Sequence, residues 1–391
     1  MKNQKLVSLF AILIMVLSAA AVVSSIPSEK SLADIYRTGK IRLIPELTIN
    51  DESFPEDVFF ESPIDMCFDD KNNIYVCDYR ANNIKVLNPS GKFMKTIGRQ
   101  GQGPGEFEMP FHIAISKDRL VVWELGNRRI SVLNPEGEFI KSIQIARNEG
   151  WPRKIRALPN GDFVIEKEKT YYGNNEKPQE CTIEIYSPDL ERKKTLYTQE
   201  VWENKYIVTP VSTNVPQPFT ARVYWDVSPE GKIFIGFSED YIIEMYDYEK
   251  GRLSSFSHEY EPVKITEEDK KTWFAGMTSV RSSGSSREEK QGAPDYIVKN
   301  TKFPKHKPAF KYILVDGEGN ILVFGYQKED FGKTRNFDAF DRGGKFISNV
   351  QIEGDVTFSS LTWVFPMANL FWSIEQDKEG LFRIVKSRIS D

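Results

Sequence analysis

Residues 82–115 read NNIKVLNPSGKFMKTIGRQGQGPGEFEMPFHIAI. An apolar run, Ile84 to Leu87, meets the turn Asn88-Pro89-Ser90-Gly91, and a second run follows from Phe93 to Ile97. A glycine-rich connector, Gly98 to Gly105, then leads through Phe107 and Pro110 into a third run at Ile113 to Ile115. The octet that begins Asn134-Pro135-Glu136-Gly137 repeats the one that begins Asn88-Pro89-Ser90-Gly91, 46 residues later. A period in the forties with several short strands per unit is the pattern of propeller blades.

Outward from this stretch, one hairpin recurs six times. Met66 to Asp69 turns into Ile74 to Val76, Ile113 to Ser116 into Leu120 to Val122, and Ile155 to Leu158 into Phe163 to Ile165. Trp225 to Ser228 turns into Ile233 to Ile235, Ile313 to Asp316 into Ile321 to Val323, and Trp363 to Pro366 into Leu370 to Trp372. Gly, Asn and Asp at most of these turns supply the positive φ that short hairpins need. Outer strands recur as well: Ile84 to Leu87, Ile130 to Leu133, Ile183 to Tyr186, Ile242 to Tyr246, Phe337 to Phe340 and Phe382 to Val385. Five of them have a successor strand, but the sixth meets the end of the chain. The orphan strand Ile41 to Ile49, held at an edge by Pro45, is expected to fill that gap and close the ring. The expectation is therefore an all-β fold, a six-bladed β-propeller of four-stranded antiparallel blades closed by the N-terminal strand.

Two segments interrupt the period. Lys167 to Glu180 reads as a lengthened polar loop in blade 3. Residues 262–308 read as an insertion between blades 4 and 5, with a helix capped by Thr266 and a Ser/Gly/charged stretch, Arg281 to Gly292, expected to be mobile.

The domain reading is a signal segment over residues 1–25, a lead-in over 26–40 with a helical turn at Leu32 to Tyr36, and the propeller over 41–391. Lys2 and Lys5 precede an apolar run from Leu6 to Val23, and small residues follow, with cleavage expected after Ala21 or Ser25. An uncleaved membrane anchor is the alternative. No cysteine stands at the cleavage region, which argues against a lipid anchor. The expected location is secreted or periplasmic, with no stable membrane insertion after cleavage. Aromatic residues make up 13% of the 391, and 25 Gly with 21 Pro suit many strands joined by tight turns. A formal charge of −4 with no basic cluster gives no reason to expect nucleic acid. Cys67, Cys77 and Cys181 are too few and too odd in number for a disulfide framework, and read as buried thiols.

Gly98-Arg99-Gln100-Gly101-Gln102-Gly103-Pro104-Gly105-Glu106-Phe107, with Pro110 and Ile113 to Ile115, resembles the NHL-repeat pattern, as does Asn82 to Leu87. The likeness is concentrated in blades 1 and 2. The family commonly has Arg at or near position 85, where this chain has Lys. The resemblance implies a secreted six-bladed ring with a binding role, although propellers host binders, lyases and lactonases alike.

Direct chemical signals are sparse. The Gly98 to Gly105 run lacks the Lys-Ser/Thr ending of a phosphate loop and reads as a crossing between blades. Of His112, His258 and His306, only His112 falls on an inner strand, so the three do not converge as a zinc site would require. Asp65 and Asp226 are the only inner-strand carboxylates, thin support for a calcium centre. Aligning the six hairpins is more informative. One position holds Asp65, His112, Lys154, Tyr224, Tyr312 and Thr362, while the next holds Met66, Ile113, Ile155, Trp225, Ile313 and Trp363. Alternation along a strand would aim the polar set at the central channel and the apolar set between blades. A solvated channel wall is the plainer meaning of that pattern; a ligand-facing ring is the sharper one. Arg99, Glu106, Trp151 and Arg153 are the loop residues expected to assist. The functional expectation is a non-catalytic monomer, free of cofactors, that binds a peptide, protein or glycan. The alternative is a propeller hydrolase or lyase, lactonase-like or amidating-lyase-like, in which calcium or zinc would act.

Overall fold

The computed structural model describes residues 30–391 apart from 147, 172–176, 203, 208–212, 277, 284–285, 292, 327–335, 354–363, 368 and 378. For 204–207, 213–214, 216, 278–283, 286–291 and 364–367 the backbone alone is described. The signal segment and Thr362 fall outside the described residues.

Six four-stranded antiparallel blades form a ring. Blade 1 comprises Pro63–Phe68, Ile74–Asp78, Asn83–Leu87 and Phe93–Ile97, and blade 2 comprises Pro110–Ser116, Arg119–Glu124, Arg129–Leu133 and Phe139–Gln144. Blade 3 comprises Trp151–Ala157, Phe163–Lys169, Gln179–Tyr186 and Arg192–Val201. Blade 4 comprises Val223–Val227, Lys232–Phe237, Ile242–Asp247 and Gly251–Ser257. Blade 5 comprises Tyr312–Val315, Ile321–Phe324, Asn336–Phe340 and Phe346–Glu353. Blade 6 takes Val364–Met367, Leu370–Gln376 and Phe382–Ser390 from the C-terminus and its outermost strand, Lys40–Ile49, from the N-terminus.

That closing strand pairs antiparallel with the last, from Arg42 opposite Ser390 to Ile49 opposite Ile384. Its side chains Ile41, Leu43 and Ile49 are buried, each worth about 1.5–3 kcal/mol relative to exposure. The position of Pro45 needs correcting. The strand is not a free edge, because Lys40 to Arg42 also pair in parallel with Gln351 to Glu353 of blade 5. Pro45 is tolerated because it lies beyond that short ladder, at a bulge before Leu47.

Turns follow a common device. Asp69, Asn88 and Asp341 each turn a side-chain oxygen back onto the N–H groups two and four residues on, and Asp316 does the same. This is why Asx residues open these turns. The core is divided rather than single. Six apolar wedges fill the gaps between neighbouring blades, so the second strands are covered on both faces. In Ile74–Asp78, Tyr75 and Cys77 pack toward blade 2 while Ile74 and Val76 pack toward blade 6. Such a strand has no polar alternation to show, and reads as a continuous apolar run.

The lead-in forms helix α1 (Leu32–Tyr36), capped by Ser31. Its Tyr36 is fully buried and donates its hydroxyl to Asp316 of blade 5 at 3.0 Å. In the insertion, helix α2 (Glu267–Ala275) starts with the expected capping box, Thr266 with Asp269. Trp273 and Phe274 of α2 pack on Phe303, and the buried Lys307 pairs with Asp269 at 2.8 Å. Within the Ser/Gly/charged stretch, the described residues 281–283 and 286–291 belong to paired strands, Thr278–Ser283 with Ser286–Gln291. The blade 3 loop is also shorter than its sequence suggests. Polar residues 167–169 and 179–182 extend the ladder, with Lys169 opposite Glu180. A further hairpin, Asn204–Ile207 with Thr213–Pro216, precedes blade 4 and has no counterpart in the repeat.

Candidate functional site

The first strands of the blades line the channel, and their starts surround a cavity of about 370 Å3. Asp65, His112, Lys154, Tyr224 and Tyr312, from five different blades, all line it. Their apolar neighbours Met66, Ile113, Ile155, Trp225 and Ile313 are at most 2% exposed. Met66, Ile113 and Ile155 stay out of the cavity, while Trp225 and Ile313 form part of its wall. Period-2 alternation continues below. Cys67, Ala114, Arg156 and Asp226 line a second chamber of about 430 Å3 toward the strand ends, with Asp69, Asp70 and Asn72 among its other walls. Arg156 lines both chambers and faces Asp226 at 3.4 Å.

Strict alternation would line the mouth with one parity alone, yet consecutive residues reach it in all five blades, with Val223 beside Tyr224 in blade 4 and Ile313 beside Tyr312 in blade 5. Ile64 with Asp65, Phe111 with His112, and Arg153 with Lys154 all line the cavity. In blades 1 to 3 these pairs coincide with a bulge at the same place in each strand, between Pro63 and Asp65, Pro110 and His112, and Pro152 and Lys154. A bulge sets two residues against one and re-aims a side chain, and proline, with no N–H to lose, suits the position before it. The repeated Pro-Xaa-polar triad was a legible sign of this mouth that the hairpin alignment did not use.

Asp65 fastens blade 1 to blade 2. Its Oδ1 accepts from Met66 N, while its Oδ2 accepts from Ile113 N at 3.0 Å and lies 3.2 Å from His112 Nδ1. Asp226 does the same between blades 4 and 5 through Val315 N at 3.0 Å. Lys154 donates to the carbonyl of Trp225 and approaches Asp226 Oδ1 at 3.2 Å, with its ammonium 4.8 Å from the Trp225 ring centre. Burial holds this ammonium below the usual lysine range, against the opposing attraction of Asp226. Burial also pushes the Glu166 carboxyl up, even though the Trp225 indole N–H donates to it at 2.7 Å. Tyr224 and Tyr312 lie 5.6 Å apart with tilted rings, and desolvation raises both hydroxyls. Glu166, Arg156 and Arg222 were not singled out from the sequence, and Trp225 was expected only between blades. Arg222, Tyr224 and Asp226 share one strand parity, the signal that would have found the arginine.

The loop candidates separate. Arg153 lines the cavity and pairs with Glu168 at 2.8 Å. Arg99 and Glu106 lie outside it and bind each other at 2.9 Å within the glycine-rich connector. There Glu106 also accepts from Gly103 N, and a Cβ on Gly98, at φ +79°, would stand 2.3 Å from the Phe107 ring. Trp151 is outside as well, stacked under Arg128 at 3.9 Å and edge-on to Trp123. The three histidines have separate surroundings. His112 meets Asp65, His258 stacks on Phe346 at 4.2 Å, and His306 bridges to Lys264. Cys67, Cys77 and Cys181 are free thiols. Among the described residues no group of three or more His, Cys, Asp or Glu is placed to hold a metal ion. No helix among them is long and apolar enough to cross a membrane.

A protein-family model, DUF5128, described as a 6-bladed beta-propeller, matches residues 55–209. Among solved structures, the chain is similar to a Bacteroides vulgatus member of the duf4221 family, with TM-score 0.55 and 14% identity over 90% of this chain and 99% of that one. It is also similar to a Bacteroides fragilis protein described as a candidate exported protein, with TM-score 0.53 and 11% identity over 93% and 98%. At such identities the likeness shows the fold alone. No curated protein sequence matches the chain.

Proposed function

We propose that the protein is a non-catalytic, extracytoplasmic binding propeller that takes its ligand in the channel-mouth cavity as a monomer. The observation that carries this reading is convergence: side chains from five blades meet at one cavity. Binding fits better than catalysis because the cavity's carboxylates are engaged. Both oxygens of Asp65, Glu166 and Glu168 already receive a protein donor, which uses these carboxylates as acceptors within the fold rather than presenting a bare group to a metal ion or a reacting proton. The resemblance of blades 1 and 2 to the NHL-repeat pattern supports a binding role for the ring, although the connector itself is turned inward. The apolar leader with Lys2 and Lys5 supports export, as does the description of the Bacteroides fragilis protein of similar fold. Peptides, protein tails and glycans are the ligand classes a polar, aromatic mouth of this size suits.

The test is a thermal-shift and calorimetric screen of peptides and oligosaccharides on purified protein, repeated on Tyr224→Ala and Arg99→Ala. A ligand weakened about tenfold or more by Tyr224→Ala and unmoved by Arg99→Ala fits the reading. The opposite response moves the site to the connector. Stoichiometric calcium or zinc in the purified protein, with turnover of a lactone or ester, would replace it with a hydrolase or lyase.

A further inference from the structure

A count of hydrogen-bonding capacity at the mouth shows what kind of ligand it complements. The acceptors are engaged. Asp65 is held by two backbone N–H groups and faces His112, Glu166 by Trp225 and Cys181, and Glu168 by Arg153 and Thr170. The donors are not. An ammonium carries three N–H bonds, and Lys154 directs one to the Trp225 carbonyl and one to Asp226. Asp226 is itself shared, since the same Oδ1 faces Arg156 and Oδ2 accepts from Val315 N. The hydroxyls of Tyr224 and Tyr312 have no hydrogen-bond partner among the described residues, and each can donate. Beside these donors the wall is apolar: Ile64, Phe111, Val223 and Leu314 join the two tyrosine rings and Trp225.

We propose that this cavity takes a carboxylate carried on an aromatic or branched apolar group, with the anion on Lys154 and a tyrosine hydroxyl and the apolar body against Tyr224, Tyr312 and Trp225. This rests on the mouth being the binding site. A charged donor in a partly desolvated pocket gives the strong, orienting contact, and the rings give area. The raised Glu166 carboxyl works in the same direction, because an acid pushed toward its neutral form repels an arriving anion less. A phosphate dianion fits less well. It gathers several N–H donors or a guanidinium fork, and the three guanidinium groups at the wall are engaged. Arg153 is turned onto Glu168 through both Nε and a terminal nitrogen, Arg156 onto Asp226 and the Ile155 carbonyl, and Arg222 is engaged within the protein as well. A cation meets no unengaged carboxylate oxygen in the cavity. The chemistry is shared by two sources, the C-terminal residue of a peptide and a free small acid.

The probes are N-acetylphenylalanine, its primary amide, phenethylamine and acetate, with the tripeptide Ala-Ala-Phe as free acid and as C-terminal amide. Each is titrated calorimetrically into the intact protein. The expected result is that each acid binds about tenfold or more tighter than its amide, while acetate alone shows no binding. Lys154→Gln is expected to abolish the acid's advantage and Lys154→Arg to restore part of it. The wild-type acid–amide comparison decides the matter even if a variant folds poorly. Tighter binding of the tripeptide acid than of N-acetylphenylalanine assigns a peptide C-terminus, and the reverse assigns a free acid. Equal affinity for acid and amide, or tighter binding of phenethylamine, overturns the carboxylate while leaving the mouth as a binding site. No binding by any probe at millimolar concentration, unchanged in Tyr224→Ala, overturns both.

Discussion

The connector between blades 1 and 2 and the channel mouth are built from the same residue types and behave oppositely. In the connector, the Arg129 guanidinium donates to Glu124 and to the carbonyls of Gln102, Gly103 and Glu106. Asn127 and Ser131 complete the shell of Glu124. Every strong polar group there is turned onto the chain itself, and Arg129 and Glu124 are buried. At the mouth, Lys154 and two tyrosines retain donors that face a cavity. The difference is one of position along the blade. The connector must carry the chain from an outer strand back to the next inner strand, and its exposed carbonyls need a donor. The mouth lies where inner strands begin, and six of them cannot meet on the axis.

The largest effect that would break this contrast is in the connector. Arg129→Met leaves the buried Glu124 carboxylate without its cation and strips three carbonyls of a donor. The expected cost is about 3–5 kcal/mol, a fall in melting temperature on the order of 10 °C. Binding at the mouth, measured per folded molecule, should be unchanged. Lys154→Gln should invert the pattern, with binding lost and a smaller fall in melting temperature, because Asp226 keeps Val315 N and Arg156. If Lys154→Gln proves the more destabilising of the two, the mouth is a structural joint and the contrast fails.

The sequence made the ring legible because propellers repeat their geometry in their spacing. Six hairpins, the orphan strand and the cap at Thr266 all follow from local turn and capping chemistry. Channel-facing positions were legible for the same reason, as Asp65, His112, Lys154, Tyr224 and Tyr312 occupy one register. What alignment by hairpin ends missed is whatever depends on a neighbouring blade. Glu166 reaches Trp225 across a blade boundary, and Ile64, Phe111 and Arg153 sit at bulges that shift the register. Arg99 and Glu106 were expected to assist binding as inter-blade loop residues; only the fold shows that Glu106 is turned inward onto Gly103 N.

An intermediate effect sharpens the role of a cation beside a saturated carboxylate. Asp316 receives Asn320 N, Asn320 Nδ2, Glu318 N and the Tyr36 hydroxyl, yet burial lifts it to about 6. Its pKa in the folded state lies above the unfolded value of 3.8, so folding favours the protonated form. The associated stability is fully present below about pH 4 and is lost as pH rises through about 6, with an upper limit of roughly 3 kcal/mol. Urea unfolding at pH 4.5 and 7 should show this loss in the parent and a flatter response in Asp316→Asn. Equal pH dependence in the two would mean that donors alone suffice, without the cation that Glu124 has in Arg129.

The smallest effect concerns the exposed arm of the connector. Arg99 is 82% exposed, and its ion pair with Glu106 is screened by solvent. Arg99→Ala should leave the melting temperature within about 2 °C of the parent. The informative readout is the Glu106 carboxyl, which is held below the usual glutamate range first by the Gly103 N–H and second by Arg99. If the backbone donor dominates, a carbon-detected NMR titration of Arg99→Ala will still find Glu106 below 4.5, shifted only part of the way back. A full return to the ordinary value would mean that the guanidinium, not the turn, organises this carboxylate. Glu106 would then be free to reorient toward a ligand whenever Arg99 is engaged, and the connector would regain the binding role that its geometry argues against.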